Sequence, residues 1–95
     1  MSKMIKDILR LYVAGQAPNS VMAIQNLNKI LSELSDEFKS RHELMIIDIL
    51  ENPQLAGNER ILATPTLTRM SEGSIKRVIG DLSNREKVLS ELDLI

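Results

Sequence analysis

The hydrophobic pattern switches twice in the first half of the chain, and that succession restricts the fold more than any other feature. Residues 4–14 (MIKDILRLYVA) alternate, with Ile5, Leu9, Leu11 and Val13 on one face and Lys6, Arg10 and Tyr12 on the other. Side chains of a strand point to the two faces in turn, so a half-buried strand is expected. Next comes GQAPNS, a loop with Gly15 and Pro18 in which Asn19 or Ser20 is placed to cap a helix. The apolar residues then recur as Val21, Ile24, Leu27, Ile30, Leu31 and Leu34. That is helical spacing over roughly four turns. Residues 43–49 (ELMIIDI) form a nearly continuous, Ile-rich run, the pattern of a fully buried central or parallel strand. Strand, helix, strand in this order is a βαβ unit, whose right-handed crossover leaves the strands parallel.

The second half adds one helix, two β-prone runs and a last helix. In ENPQLAGNERILATP, Asn52-Pro53 starts a helix with Pro where its missing N–H costs nothing, and Gly57 keeps that helix short. Thr64-Pro65 sets an extended entry into TLTRM. Across residues 66–80 (TLTRMSEGSIKRVIG), Thr66–Met70 and Ile75–Ile79 flank a Ser-Glu-Gly-Ser turn. Gly73 can take positive φ there, and a hairpin is expected. Ser83 followed by Glu86 makes a capping box before the stripe Val88, Leu89 and Leu92. The summed order is β-α-β-α-β-β-α, an α/β, thioredoxin-like arrangement with a mixed four-stranded sheet. Thr64-Pro65 falls just before the third strand, where thioredoxin-like proteins carry a cis-proline, and cis bonds are nearly confined to X-Pro.

Composition excludes several functions. Ninety-five residues make a single domain, 1–95. A net charge of −1 lacks the clustered positive charge that nucleic acid requires. No apolar run reaches the roughly 18 residues needed to span a membrane. Lys3, Lys6, Asp7 and Arg10 interrupt the N-terminus, which is therefore no secretory signal. A cytoplasmic protein is expected. With zero cysteines there is no disulfide, thiolate nucleophile or thiolate metal site. A thioredoxin-type redox site would fall in AGQAPNS, which holds no Cys, so disulfide oxidoreduction is excluded and the scaffold is expected to bind rather than catalyse.

The remaining candidates are few. His42, the only histidine, reads as an ordinary exposed or edge residue, with no oriented carboxylate to make it a base. Asp48, inside the apolar run, is costly unless paired, and is expected to bond a helix N-terminus. Lys76-Arg77 is a small basic pair that reads first as a solvated face, and second, on an edge hairpin, as a contact for an acidic partner or a deterrent to edge-to-edge aggregation. The five methionines read as core fillers. No catalytic, metal or cofactor site is expected.

LYVAGQAPNSV, IIDILENPQLA, RILATPTL and VIGDLSNREKVL closely resemble the KaiB family, over roughly residues 8–95. The resemblance implies a non-enzymatic protein that binds the N-terminal ATPase ring of KaiC; in cyanobacterial clocks such proteins help sequester KaiA and release output kinases. It also implies two folds: a tetrameric ground state with a rearranged C-terminal half, which would suit a structural or stress-related role, and a thioredoxin-like state that binds KaiC as a monomer or weak dimer. Arg60, Lys76 and Arg77 match basic positions of the family and are expected to contact the partner. Met22 and Gln25 replace basic positions on the first helix, and Met45 replaces a lysine on the second strand, which puts KaiA binding in doubt. The stretch SDEFKSRHE reads as a longer loop than the family has.

Two further departures bear on the choice of fold. Typical members carry three prolines where this chain has Glu72, Gly73 and Ser74. Proline fixes φ and lacks the N–H, so their loss favours a tight hairpin. Glu91 stands where the family has Gly, which costs about 1 kcal/mol in a helix interior. With Pro65, these residues are expected to favour the thioredoxin-like state.

Overall fold

Asp7–Val13 forms the inner strand β1 in the computed structural model, which describes residues 7–94. Met4, Ile5 and Lys6, assigned above to the start of that strand, lie outside the described residues. The chain leaves β1 for helix α1 (Pro18–Ser32) and a six-residue helix α2 (Asp36–Arg41). It returns as strand β2 (His42–Asp48), parallel to β1 in the register Leu9↔Leu44 and Leu11↔Ile46. Helix α3 (Pro53–Asn58) follows, then β3 (Thr66–Ser71), antiparallel to β1, and β4 (Ser74–Ile79), antiparallel to β3. Helix α4 (Arg85–Glu91) ends the fold. The sheet order is β2-β1-β3-β4, a mixed four-stranded sheet of thioredoxin-like topology.

The main core lies on one face of this sheet. Leu9, Leu11 and Val13 meet Ala23, Leu27 and Ile30 of α1, Leu67 and Val78 of the hairpin, Val88 and Leu89 of α4, and Leu92 at its C-cap. Each large aliphatic side chain buried this way contributes roughly 1.5–3 kcal/mol. The opposite face is not solvated throughout, as strict alternation in β1 would require. Tyr12 has no exposed surface: its register partner Ile47 is buried too, and on the same face Arg10 reaches Glu59 at the end of α3.

The structure changes several expectations. α1 begins at Pro18, with Ala17 as an N-cap that makes no side-chain bond. Ser20 is buried instead, and its Oγ accepts from the Ala14 N–H at 3.0 Å, tying the loop to the helix. The SDEFKSRHE stretch is not a loop. Ser35 caps α2 by accepting from the Phe38 N–H at 3.1 Å, and Asp36 and Glu37 complement the positive helix start. β2 is an edge strand rather than a central one, with Met45 39% and Ile46 46% exposed. Met22 is likewise 45% exposed, so neither methionine fills the core. The capping box does not form. Asn84 is the N-cap of α4 and accepts from the Lys87 N–H, while the Ser83 N–H is held by Asp81 Oδ1.

The hairpin is tighter than a four-residue turn. Ser71 pairs with Ser74, which leaves Glu72 and Gly73 alone at the tip with φ of 48° and 80°. Two successive positive φ values define the type I′ turn, whose twist matches that of the strands. The Thr64-Pro65 bond that leads into β3 is cis. Glu91 is the last residue of α4 rather than an interior one. Beyond it, Asp93 N–H bonds the Ser90 carbonyl and Leu94 N–H the Leu89 carbonyl, a Schellman stop with Asp93 at φ 54°.

Candidate functional site

β4 is the second edge of the sheet, and its outward residues form one stripe. Pairing of Thr66 with Ile79, Thr68 with Arg77 and Met70 with Ile75 puts Ile75, Arg77 and Ile79 on the face away from the main core. Ile75 is 41% and Ile79 59% exposed, while Val78 between them points inward and is buried.

The end of α3 completes this edge. Arg60 N–H bonds the Gly57 carbonyl and Ile61 N–H the Ala56 carbonyl, which again is a Schellman stop. Arg60 occupies its left-handed position, φ 54°, where glycine is usual. Holding a side chain there costs roughly 1 kcal/mol. The Arg77 guanidinium donates to the Arg60 and Glu59 carbonyls, both at 3.2 Å. A cation is well placed at a helix C-terminus, where the unpaired carbonyls carry partial negative charge. The Glu59 carboxylate turns the other way, to Arg10 at 3.2 Å. The Arg77 guanidinium therefore meets the backbone of exposed Arg60 beside apolar surface, and Leu62, two residues past Arg60, is 95% exposed. Among the described residues neither Arg60 nor Arg77 enters an ion pair.

Lys76 does not join them. It pairs in register with Arg69 on the opposite face and forms an ion pair with Asp93 beyond α4. The hydrogen bond and charge of Lys76 hold the Asp93 carboxyl below its ordinary value. The three basic positions therefore divide into an Arg60–Arg77 pair and a separate lysine. Sequence reading passed over Ile75, Ile79 and Leu62. For the first two a signal existed: they sit at i and i+4 around Arg77, out of phase with buried Val78.

The other candidates have structural surroundings. Asp48 Oδ1 accepts from the Gly15 and Leu50 N–H groups, each at 3.0 Å, so it braces two loops rather than a helix N-terminus. Gly15, at φ 53°, belongs to the loop where a thioredoxin-type redox pair would stand. His42 is more enclosed than an ordinary edge histidine, its side chain only 10% exposed. It stacks on Phe38 with ring centroids 3.8 Å apart, and its Nδ1 donates to the Phe38 carbonyl at 2.8 Å. It also faces a carboxylate that sequence reading did not foresee, with Nε2 3.6 Å from Asp7 Oδ2. Burial alone would raise the Asp7 carboxyl. Hydrogen bonds from Arg69 and Ser71, with the charges of Arg69 and His42, outweigh it and hold the group below its ordinary value. Among the described residues no helix is long and apolar enough to cross a membrane.

Comparison with known proteins adds the following. A family described as the KaiB domain matches residues 10–94. The circadian clock oscillator protein KaiB of Thermostichus vulcanus is 56% identical over 88 residues, covering 93% of this chain and 79% of that protein. The N-terminal domain of Synechococcus elongatus SasA superimposes with a TM-score of 0.75 at 21% identity, covering 100% of this chain and 90% of that one. Mitochondrial thioredoxin 3 of Saccharomyces cerevisiae does so with a TM-score of 0.75 at 17% identity, covering 98% and 82%. At these identities the last two are likenesses of fold.

Proposed function

The chain belongs to the KaiB family, and from that premise we propose that it is a non-enzymatic, cytoplasmic regulatory protein that docks on the N-terminal ATPase ring of a KaiC-type partner. The observation that carries the proposal is the β4 edge, where the Arg77 guanidinium bonds the backbone of exposed Arg60 beside exposed Ile75 and Ile79. Apolar surface with adjacent cations suits an acidic, partly apolar protein surface: the apolar groups supply affinity, and the charges set orientation and association rate. The loop between β1 and α1 has the backbone of a redox scaffold without its sulfur, which supports binding over thiol chemistry.

Arg60→Glu is the cleaner test, because Arg77 also ties down the end of α3. Binding to a purified KaiC-type ring, followed by sedimentation or interferometry, should weaken at least about tenfold, or about 1.4 kcal/mol. Unchanged affinity in both Arg60→Glu and Arg77→Glu would remove this edge from the interface. The free chain should sediment as a monomer or weak dimer; a stable tetramer would favour the family's other state.

A further inference from the structure

A groove of about 300 Å³ opens between the C-terminal end of α1, α2 and the start of β2, away from the β4 edge. Leu9 forms its floor, only 1% exposed, and Leu31, Leu44 and Phe38 line it further. Asn28, Ser32, Lys39 and His42 supply its polar groups, and among the described residues no carboxylate side chain lines it. Glu37, the acid nearest Lys39 along α2, is taken by Arg41 at 2.8 Å. We propose that this groove binds a small amphipathic monocarboxylate, with its hydrocarbon against Leu9, Leu31 and Leu44 and its carboxylate at Lys39.

Three observations carry this assignment. The wall is built before any ligand arrives. Ser35 caps α2, and Phe38 is locked by stacking on His42 and by the bond from His42 Nδ1 to its carbonyl. Preorganisation of this kind lowers the ordering cost of binding. The second observation is polarity: an apolar floor and mainly apolar walls, with one ammonium at the rim that enters no ion pair among the described residues, suit one anionic head on one apolar tail. The third is size. At about 30 Å³ for each water's share of liquid volume, the groove holds about ten waters, and so a ligand of about ten non-hydrogen atoms. A docked protein segment needs a far larger surface than this.

The test is a ¹⁵N NMR titration of the full chain with octanoate, and with octylammonium and 1-octanol as charge-reversed and neutral probes. Octanoate should give saturable shifts confined to Leu31, Phe38–His42 and Leu44, and should bind about fivefold more tightly than octanol, with octylammonium weakest. Lys39 is exposed, so Lys39→Gln keeps the fold; it should abolish the preference for octanoate over octanol. Absence of saturable shifts, shifts outside the groove, equal binding of all three probes, or a preference that survives Lys39→Gln would each overturn the proposal. The outcome is independent of ring binding at the β4 edge.

Discussion

Replacing Arg69 with methionine would remove the joint between three elements while leaving most of the aliphatic stem. The guanidinium donates to Asp7 Oδ2 of β1 at 2.6 Å, and to the Leu92 and Asp93 carbonyls at the end of α4 at 2.9 and 3.0 Å. The Arg69 and Asp7 side chains are 18% and 20% exposed, so solvent screens the pair only in part. A hydrogen bond between charged groups contributes roughly 1.5–3 kcal/mol and an ordinary one about 1 kcal/mol. With water at the rim the lower figures apply, and the three together give about 3 kcal/mol. For a domain of this size that is a fall in midpoint temperature of about 12–24 °C.

The pH dependence is what makes this prediction specific. Asp7 is held below its ordinary value of 3.8 in the folded chain. A depressed folded pKa means stability that is present above the unfolded pKa and lost as pH falls through the folded one. In Arg69→Met the contacts of Arg69 that lower Asp7 are gone, only Ser71 and His42 oppose burial, and acid removes less stabilisation. The gap between the two proteins should therefore be widest near about pH 7 and narrow below about pH 4. Urea denaturation followed by far-UV circular dichroism at both pH values would measure it. A difference under about 1 kcal/mol at neutral pH, or one that persists undiminished in acid, would refute the reasoning. A double-mutant cycle with Asp7→Asn should return about half of the loss as coupling energy, because the other two bonds go to backbone carbonyls at the end of α4.

Two further substitutions probe local structure. Proline at Glu72, Gly73 and Ser74 together forbids the two positive φ values of the hairpin tip, and should cost more than about 3 kcal/mol. Hydrogen exchange should then show protection lost across residues 66–79, and unchanged protection would show that the turn does not govern the hairpin. Ser35→Ala removes the cap of α2 and should cost about 1 kcal/mol. Exchange should quicken most in residues 36–41, with a fall in midpoint temperature of no more than about 4–8 °C.

What the sequence made legible was whatever rests on neighbours in the chain. The βαβ unit follows from a change of period, and the hairpin from two β-prone runs around Gly73. What escaped depended on partners distant in sequence. Tyr12 alternates with apolar residues and so reads as solvent-facing, yet it is fully buried, on the face where Arg10 reaches Glu59 at the distant end of α3. ELMIIDI reads as central because it is apolar on both faces, but strand order makes it an edge and leaves Met45 and Ile46 open. α2 was missed for another reason. A short helix whose residues are all charged or exposed but for Phe38 carries little apolar periodicity, and its signal lay in the Ser35 cap.

The basic positions show the same limit at the level of the site. Adjacent residues of a strand face opposite ways, so Lys76 and Arg77 cannot share one surface, and strand geometry alone separates them. Which of the two sits with Arg60 is settled only by register: Thr68 opposite Arg77 places the arginine on the α3 side. There Arg77 serves the fold, by capping the end of α3, and presents charge to solvent at the same time. Charge reversal at Arg77 perturbs the scaffold and the surface together, whereas Arg60 places only its backbone in the helix stop. A binding defect in Arg60→Glu with unchanged stability therefore isolates the electrostatic contribution of this edge.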